Sequence, residues 1–266
     1  MSSLTDSLRN NVRDKLARDE VVASLTVRLV RGIEIARIAK TAGFDTLYID
    51  MEHNSFSMEA TGQICMAAQA IGIAPFVRVP ANTPEWISRV LDAGALGIIA
   101  PHVESADEAR AIVAAAKFPP LGRRSAAGAL PQLDYRAVPA REAFPALNQA
   151  TIVMVQFETA AALEQADAIM AVEGVDMVMI GTNDLIADMG LTGQYDHPRL
   201  REAYETTIAA SRKHGKHVGV GGLSSRPDLV AQFVRMGARY VSTGTDLAFL
   251  LEACTARARQ VREIAP

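Results

Sequence analysis

Short runs of β-branched and apolar residues alternate with alanine-rich segments from one end of the chain to the other. The runs Val21–Arg28, Thr46–Ile49, Ala74–Arg78, Gly97–Pro101, Thr151–Phe157, Met177–Ile180, Lys216–Val220 and Tyr240–Thr243 read as strands. Between them, apolar residues at helical spacing predict helices, among them Ile33–Thr41, Met58–Ile71, Ser105–Lys117 and Arg199–His214. Several of the strand runs, such as Gly97-Ile98-Ile99-Ala100 and Ile152-Val153-Met154-Val155, are apolar almost throughout. That pattern suits parallel strands covered on both faces.

Eight such units in 266 residues match an α/β fold of the (β/α)8 TIM-barrel type. A doubly wound open sheet is the competitor, but the first strand is followed by Leu29-Val30-Arg31-Gly32, which is no dinucleotide fingerprint. No Gly/Ser/Pro linker divides the chain, so residues 1–266 read as one barrel domain. One connection is long: residues 118–150 carry several prolines, the tandem Arg123-Arg124 and a short helix near Ala140–Leu147. A loop of that length predicts a lid, a subunit contact, or both. The last helix, Asp246 to Glu263, is rich in Ala and Leu, and closes the barrel or packs on a neighbouring subunit.

Composition narrows the class. A hydrophobic fraction of 49% fills a sizeable core and excludes intrinsic disorder. A formal net charge of −3 argues against a nucleic-acid partner, which needs a basic stripe. No apolar run approaches the roughly 18–20 residues that span a bilayer, and Met1 to Asp19 is polar. Cys65 and Cys254 are solitary and far apart, so no disulfide framework or thiolate metal site is indicated. The expectation is a soluble cytoplasmic protein.

In such a barrel the active site lies at the C-terminal ends of the strands. The residues just past each apolar run are Asp50, Glu52 and His53, then Arg78, His102, Glu158, Asn183 and Asp184, the glycines 219, 221 and 222, and finally Gly244 and Asp246. Glu158 and Asp184 come from adjacent strands, and two carboxylates with open water positions can hold a hard divalent ion. Each could instead cap the helix that follows it. Arg78 at the mouth could stabilise a developing negative oxygen or simply pair with a neighbouring carboxylate. His53, directly after a strand, is the better acid–base candidate; His102 ranks second, while His197, His214 and His217 read as surface residues. None of the five lysines follows a strand, which disfavours Schiff-base chemistry. The late glycines occupy the usual phosphate position of such barrels, or merely permit tight turns.

Seven segments then carry a resemblance: Tyr48-Ile49-Asp50-Met51-Glu52-His53, Phe76-Val77-Arg78-Val79-Pro80, Leu91-Asp92-Ala93-Gly94-Ala95, Phe118-Pro119-Pro120-Leu121-Gly122-Arg123, Gln156-Phe157-Glu158-Thr159, Ile180-Gly181-Thr182-Asn183-Asp184-Leu185 and Gly244-Thr245-Asp246-Leu247. In this order, over Thr26 to Leu251, the chain resembles the HpcH/HpaI family of class II, metal-dependent 2-oxo acid aldolases. The resemblance implies that Glu158 and Asp184 are ligands of a divalent ion (Mg²⁺, Mn²⁺ or Co²⁺), with Gln156 lining the same pocket. It implies that Arg78 contacts the ketone oxygen of the 2-oxo acid. His53 and Asp92 match a His–Asp dyad that works with metal-bound water as the base, with Asp50 behind them. Gly181, Thr182 and Asn183 match the segment whose backbone N–H groups hold the substrate carboxylate. The implied reaction is reversible cleavage of a 4-hydroxy-2-oxo acid to pyruvate or hydroxypyruvate and an aldehyde, through a metal-stabilised enolate. The implied assembly is a hexamer, a dimer of trimers with an exchanged last helix.

Two departures set limits. Thr182 stands where the family commonly has proline, and Ser125–Leu133 lacks the basic residue that some relatives use to grip a distal acid, which points to short or neutral aldehydes. The competing readings are a lyase of hydroxyacyl-CoA thioesters on the same scaffold, a phosphate-ester isomerase, and a catalytically silent barrel.

Overall fold

The computed structural model describes Leu4 and residues 8–264. Its strands are β1 (Val22–Val27), β2 (Thr46–Asp50), β3 (Ala74–Arg78), β4 (Gly97–Ala100), β5 (Ile152–Phe157), β6 (Met177–Gly181), β7 (His217–Gly221) and β8 (Tyr240–Ser242). All neighbours pair in parallel, and β1 pairs with β8, so the sheet is a closed barrel. The helices are α1 (Asn11–Ala17), α2 (Glu34–Ala42), α3 (Met58–Ala70), α4 (Pro84–Asp92), α5 (Ala106–Ala116), α6 (Ala140–Ala150), α7 (Ala160–Glu164), α8 (Ala166–Met170), α9 (Thr182–Asp188), α10 (Pro198–Lys213), α11 (Pro227–Met236) and α12 (Asp246–Ile264). Among the described residues no helix is long and apolar enough to cross a membrane.

Strand parity divides the apolar residues into two cores. Leu47 and Ile49, Val153 and Val155, Val178 and Ile180, and Val218 and Val220 face outward and pack with the helices. Tyr48, Phe76, Ile99, Ile152, Met154, Met177, Met179 and Tyr240 face inward and fill the barrel. There the rings of Phe76 and Tyr240 stack 6.0 Å apart. The inward parity, carried to the C-terminal end of each strand, arrives at Thr26 then Arg28, Asp50, Arg78, Gln156 then Glu158, and Gly181. The site is therefore a continuation of the barrel's own core.

The N-terminal end of the barrel is plugged. Helix α1, which the polar N-terminal sequence had not indicated, supplies Val12 and Leu16 one turn apart to the inner core. Asn10, buried beside it, donates to the backbone oxygens of Leu96 and Ala150 at 3.1 and 2.8 Å. The long 118–150 connection joins the end of α5 to the start of β5, and both lie at this end. Its Phe118, Leu130 and Leu133 pack into the same inner core as α1. It therefore cannot form a lid over the mouth of its own barrel, because an αβ connection returns to the opposite end from the active site. The role of subunit contact is untouched by that geometry.

At the mouth, the first residue of α12 fastens the turn after β1. The buried Asp246 carboxylate accepts from the backbone N–H groups of Arg28, Leu29 and Val30 at 2.8–3.1 Å. Asp246→Ala would leave those donors without partners. The expected cost is about 2–3 kcal/mol, read as a lower urea midpoint with an unchanged slope.

Candidate active site

Register brings the first pair together. Asp50 and Arg78 are direct partners across β2 and β3. Arg78 donates from Nε to Asp50 Oδ1 at 3.0 Å and from Nη2 to Oδ2 at 2.7 Å, a bidentate clamp. Arg28 adds a third bond, Nε to Asp50 Oδ2 at 2.9 Å. Burial alone would raise the Asp50 pKa, but the Arg78 bonds and the two guanidinium charges outweigh it and hold this carboxyl below its ordinary range. Arg78 is likewise buried, which would lower its pKa, yet its acidic neighbours push it up, so it carries a permanent charge. The ion-pair reading of Arg78 is thus present in the structure, and it positions the guanidinium at the mouth rather than excluding a role there.

Glu52 lies at the centre of the group. Its Oε2 is 2.6 Å from Arg78 Nη1 and 3.6 Å from His53 Nε2, and its Oε1 is 2.9 Å from His102 Nε2. His102 in turn approaches Glu158: its backbone N–H and its Nδ1 each lie 2.9 Å from Glu158 Oε2. His102 is held in the left-handed region at φ +52°, which aims both groups at the same carboxylate. Sequence position places Glu52 at the mouth without indicating its part. Its adjacency to His53, together with the sharp turn out of β2, is the signal that points to it.

Glu158 is 2% exposed. Burial raises its pKa, and the charges of Glu52 and Asp184 add to the rise against the pull of His102. Gln156 donates to its Oε1 at 2.6 Å, while Gln156 Oε1 is buried with no partner among the described residues. Neither carboxylate caps a helix: Thr159 is the side-chain cap of α7, and Asp184 sits within the first turn of α9. The capping alternatives fall away, and two mutually repelling oxygen donors remain at one rim. Among the described residues no three His, Cys, Asp or Glu side chains gather as a metal cluster. The donor set fits a hard divalent cation that takes two protein carboxylates and completes its shell with water and substrate.

Gly181 is required by this crowding. A Cβ built there would lie 2.8 Å from Gln156 Nε2 and 2.9 Å from Glu158 Oε1. Gly181→Ala should displace the carboxylate and cut kcat/KM by about 10²-fold, with a much smaller effect on stability. Thr182 is fully buried; its hydroxyl donates to the Gly221 carbonyl at 2.8 Å and can accept from Tyr204 at 2.9 Å. Threonine in place of proline thus ties the ends of β6 and β7. Asn183 is exposed beside it and accepts from Tyr195 at 2.9 Å. Gly181, Thr182, Asn183 and Asp184 all line a cavity of about 220 Å³ in the mouth, with Arg28, Arg78 and Gln156 on its other walls.

The structure does not bring Asp92 to His53. Asp92 ends α4, a helix running back from the mouth, and its Oδ1 pairs with Arg124 Nη2 at 2.6 Å. A His–Asp dyad is therefore not formed within one chain; His53 stands at the mouth, exposed, beside Glu52.

The sequence matches the HpcH/HpaI aldolase/citrate lyase family over residues 32–253. It is 43% identical over 216 residues to the 4-hydroxy-4-methyl-2-oxoglutarate aldolase of Hapsidospora irregularis, covering 80% of each chain. It is 34% identical over 257 residues to the 4-hydroxy-2-oxo-heptane-1,7-dioate aldolase of Salmonella typhimurium, covering 94% of each. The crystal structure of an HpcH/HpaI aldolase from Desulfitobacterium hafniense superposes with a TM-score of 0.89 at 31% identity, over 97% of this chain and 98% of that one. With the barrel, the buried arginine clamp and the paired carboxylates at its mouth, these likenesses make the chain a member of the HpcH/HpaI aldolase/citrate lyase family.

Proposed function

We propose that this chain is a divalent-metal-dependent aldolase that reversibly cleaves 4-hydroxy-2-oxo acids to pyruvate, or hydroxypyruvate, and an aldehyde or ketone. The observation that carries the reading is the charged, clamped Arg78 at the same mouth as the desolvated Glu158 and its neighbour Asp184. Glu158 and Asp184 would hold the ion, which when bound withdraws electrons from the substrate's 2-oxo group. The relatives named as aldolases of 4-hydroxy-2-oxo acids support the substrate class.

The chain's own groups divide the work. Arg78, fixed by Asp50 through Nε and Nη2 and paired with Glu52 at Nη1, holds its positive charge at the mouth, where it would stabilise the 2-oxo oxygen as negative charge grows there. The N–H groups of Gly181, Thr182 and Asn183 take the adjacent carboxylate. His53 accepts the proton of the 4-hydroxyl as the C3–C4 bond breaks. The bond's electron pair passes to C3 and the 2-oxo oxygen, the carbonyl product leaves, and a proton returned to C3 completes pyruvate. Gln156 holds Glu158 in line.

Assembly completes the reading. Of the residues of α12 only Asp246 is buried, while Leu247, Phe249, Leu250, Leu251, Val261 and Ile264 stand exposed. A helix so apolar and so bare suits exchange with another copy, in a hexamer built as a dimer of trimers. A second copy is also what could bring an Asp92 to His53. The enzyme is expected to act in the cytoplasm on small molecules, without a nucleic-acid or membrane partner.

The test is pyruvate release by purified protein from a panel of 4-hydroxy-2-oxo acids, set against cleavage of hydroxyacyl-CoA thioesters. Release from the first group that stops with EDTA and returns with Mg²⁺, Mn²⁺ or Co²⁺ supports the proposal. Cleavage of the thioesters alone would transfer the site to the CoA-ester reading.

A further inference from the structure

Two guanidinium groups line the mouth cavity, and they are not equivalent. Arg78 is buried and spent on Asp50 and Glu52. Arg28 is about one-third exposed and gives only its Nε to Asp50, so its two terminal nitrogens have no side-chain or backbone partner among the described residues. Arg28 nevertheless stands on a built support. Its backbone N–H is held by the buried Asp246, its carbonyl accepts from Arg31 Nη1 at 3.1 Å, and its Nε bond fixes the plane of the guanidinium. The other charged groups lining this cavity are Arg78 and Asp184; Asp184 is the proposed metal ligand.

A 2-oxo acid would spend its own carboxylate and ketone on the α9 turn, on the cation that Glu158 and Asp184 would hold, and on Arg78. Arg28 then remains as a fixed cation with a free two-pronged donor face. The neighbouring rim, from Gly222 and Ser224 to Thr245 beside β1, is small and uncharged. A second carboxylate matches a guanidinium fork in both charge and geometry.

We propose that Arg28 is a specificity-determining residue that grips a distal carboxylate, making this enzyme selective for 4-hydroxy-2-oxo dicarboxylic acids over substrates that release a neutral aldehyde. This rests on the aldolase reading above. It also reverses the expectation drawn from Ser125–Leu133: that stretch belongs to the connection at the other end of its own barrel and does not line this mouth.

The experiment compares kcat/KM for 4-hydroxy-2-oxoglutarate, which carries a carboxylate on C4, with that for 4-hydroxy-2-oxopentanoate, which carries a methyl there. Wild type, Arg28→Met and Arg28→Lys are each assayed with Mg²⁺. Any loss that both substrates share, through Asp50 or folding, cancels in the ratio. Arg28→Met should lower the carboxylate-to-methyl ratio about ten- to hundred-fold, the worth of a charge-assisted bond, and Arg28→Lys should keep part of it. A ratio unchanged in Arg28→Met, with both substrates still cleaved, overturns the proposal alone. Cleavage of neither substrate by the wild type overturns the aldolase reading and this one with it.

Discussion

Arg78→Ala is expected to lose about 10²–10³-fold in kcat and to destabilise the fold by about 3–5 kcal/mol. The two effects have one origin. Asp50 is fully buried, and Arg78 supplies two of its charge-assisted bonds. Without Arg78, burial dominates and the Asp50 carboxyl shifts upward. In the wild type its folded pKa lies below the unfolded value, so its contribution is present at neutral pH and is lost only as pH falls through that depressed pKa. In the variant the sign reverses, because a raised folded pKa is a penalty at neutral pH that protonation relieves. The stability gap between the two proteins should thus be widest near pH 7 and narrow below about pH 4. Urea midpoints across pH check this. Arg78→Lys should recover part of the stability and little of the activity, since an ammonium cannot make the two-pronged clamp.

Glu158→Gln carries the second large effect. The amide keeps the shape, removes one of two carboxylates, and ends the repulsion with Glu52 and Asp184. Turnover should fall on the order of 10³-fold, corresponding to several kcal/mol of lost charge stabilisation. Without added metal, the variant should melt no lower than the wild type. Added Mn²⁺ should raise the wild-type Tm through linkage and leave that of Glu158→Gln almost unmoved. An equal rise in both would show that the ion binds elsewhere.

The polar groups of the mouth are legible because strand period and residue type point the same way. Tyr48 and Asp50, Phe76 and Arg78, and Met154, Gln156 and Glu158 are each spaced by two, so an apolar barrel filling ends in a polar group on the same face. The same spacing runs through Ser24, Thr26 and Arg28, and following it to the end of β1 would have singled out Arg28 from sequence. Strand positions agree to within a residue, Ala74–Arg78 without change, and the helices nearly as well, although α6 runs three residues past the expected Leu147. Other features were harder to read. Helix α1 rests on Val12 and Leu16 alone, too few apolar positions to stand out in a polar segment. Asp92 lies in a motif of the right order, but a motif does not say which end of the barrel a helix terminus reaches. The topology does: α4 leaves β3 at the mouth, so its last residue lies far from His53. The place of the 118–150 connection follows from the same rule, although its length alone suggested a lid.

The most direct test of the central claim isolates the half-reaction that needs no aldehyde. Pyruvate incubated in D₂O with the purified protein and Mg²⁺ is followed by NMR at its methyl protons. Exchange that stops on chelation, resumes with metal, and is lost in Glu158→Gln and Arg78→Ala is the predicted result. Protein that binds the ion at this mouth yet leaves the methyl protons unexchanged would contradict the account.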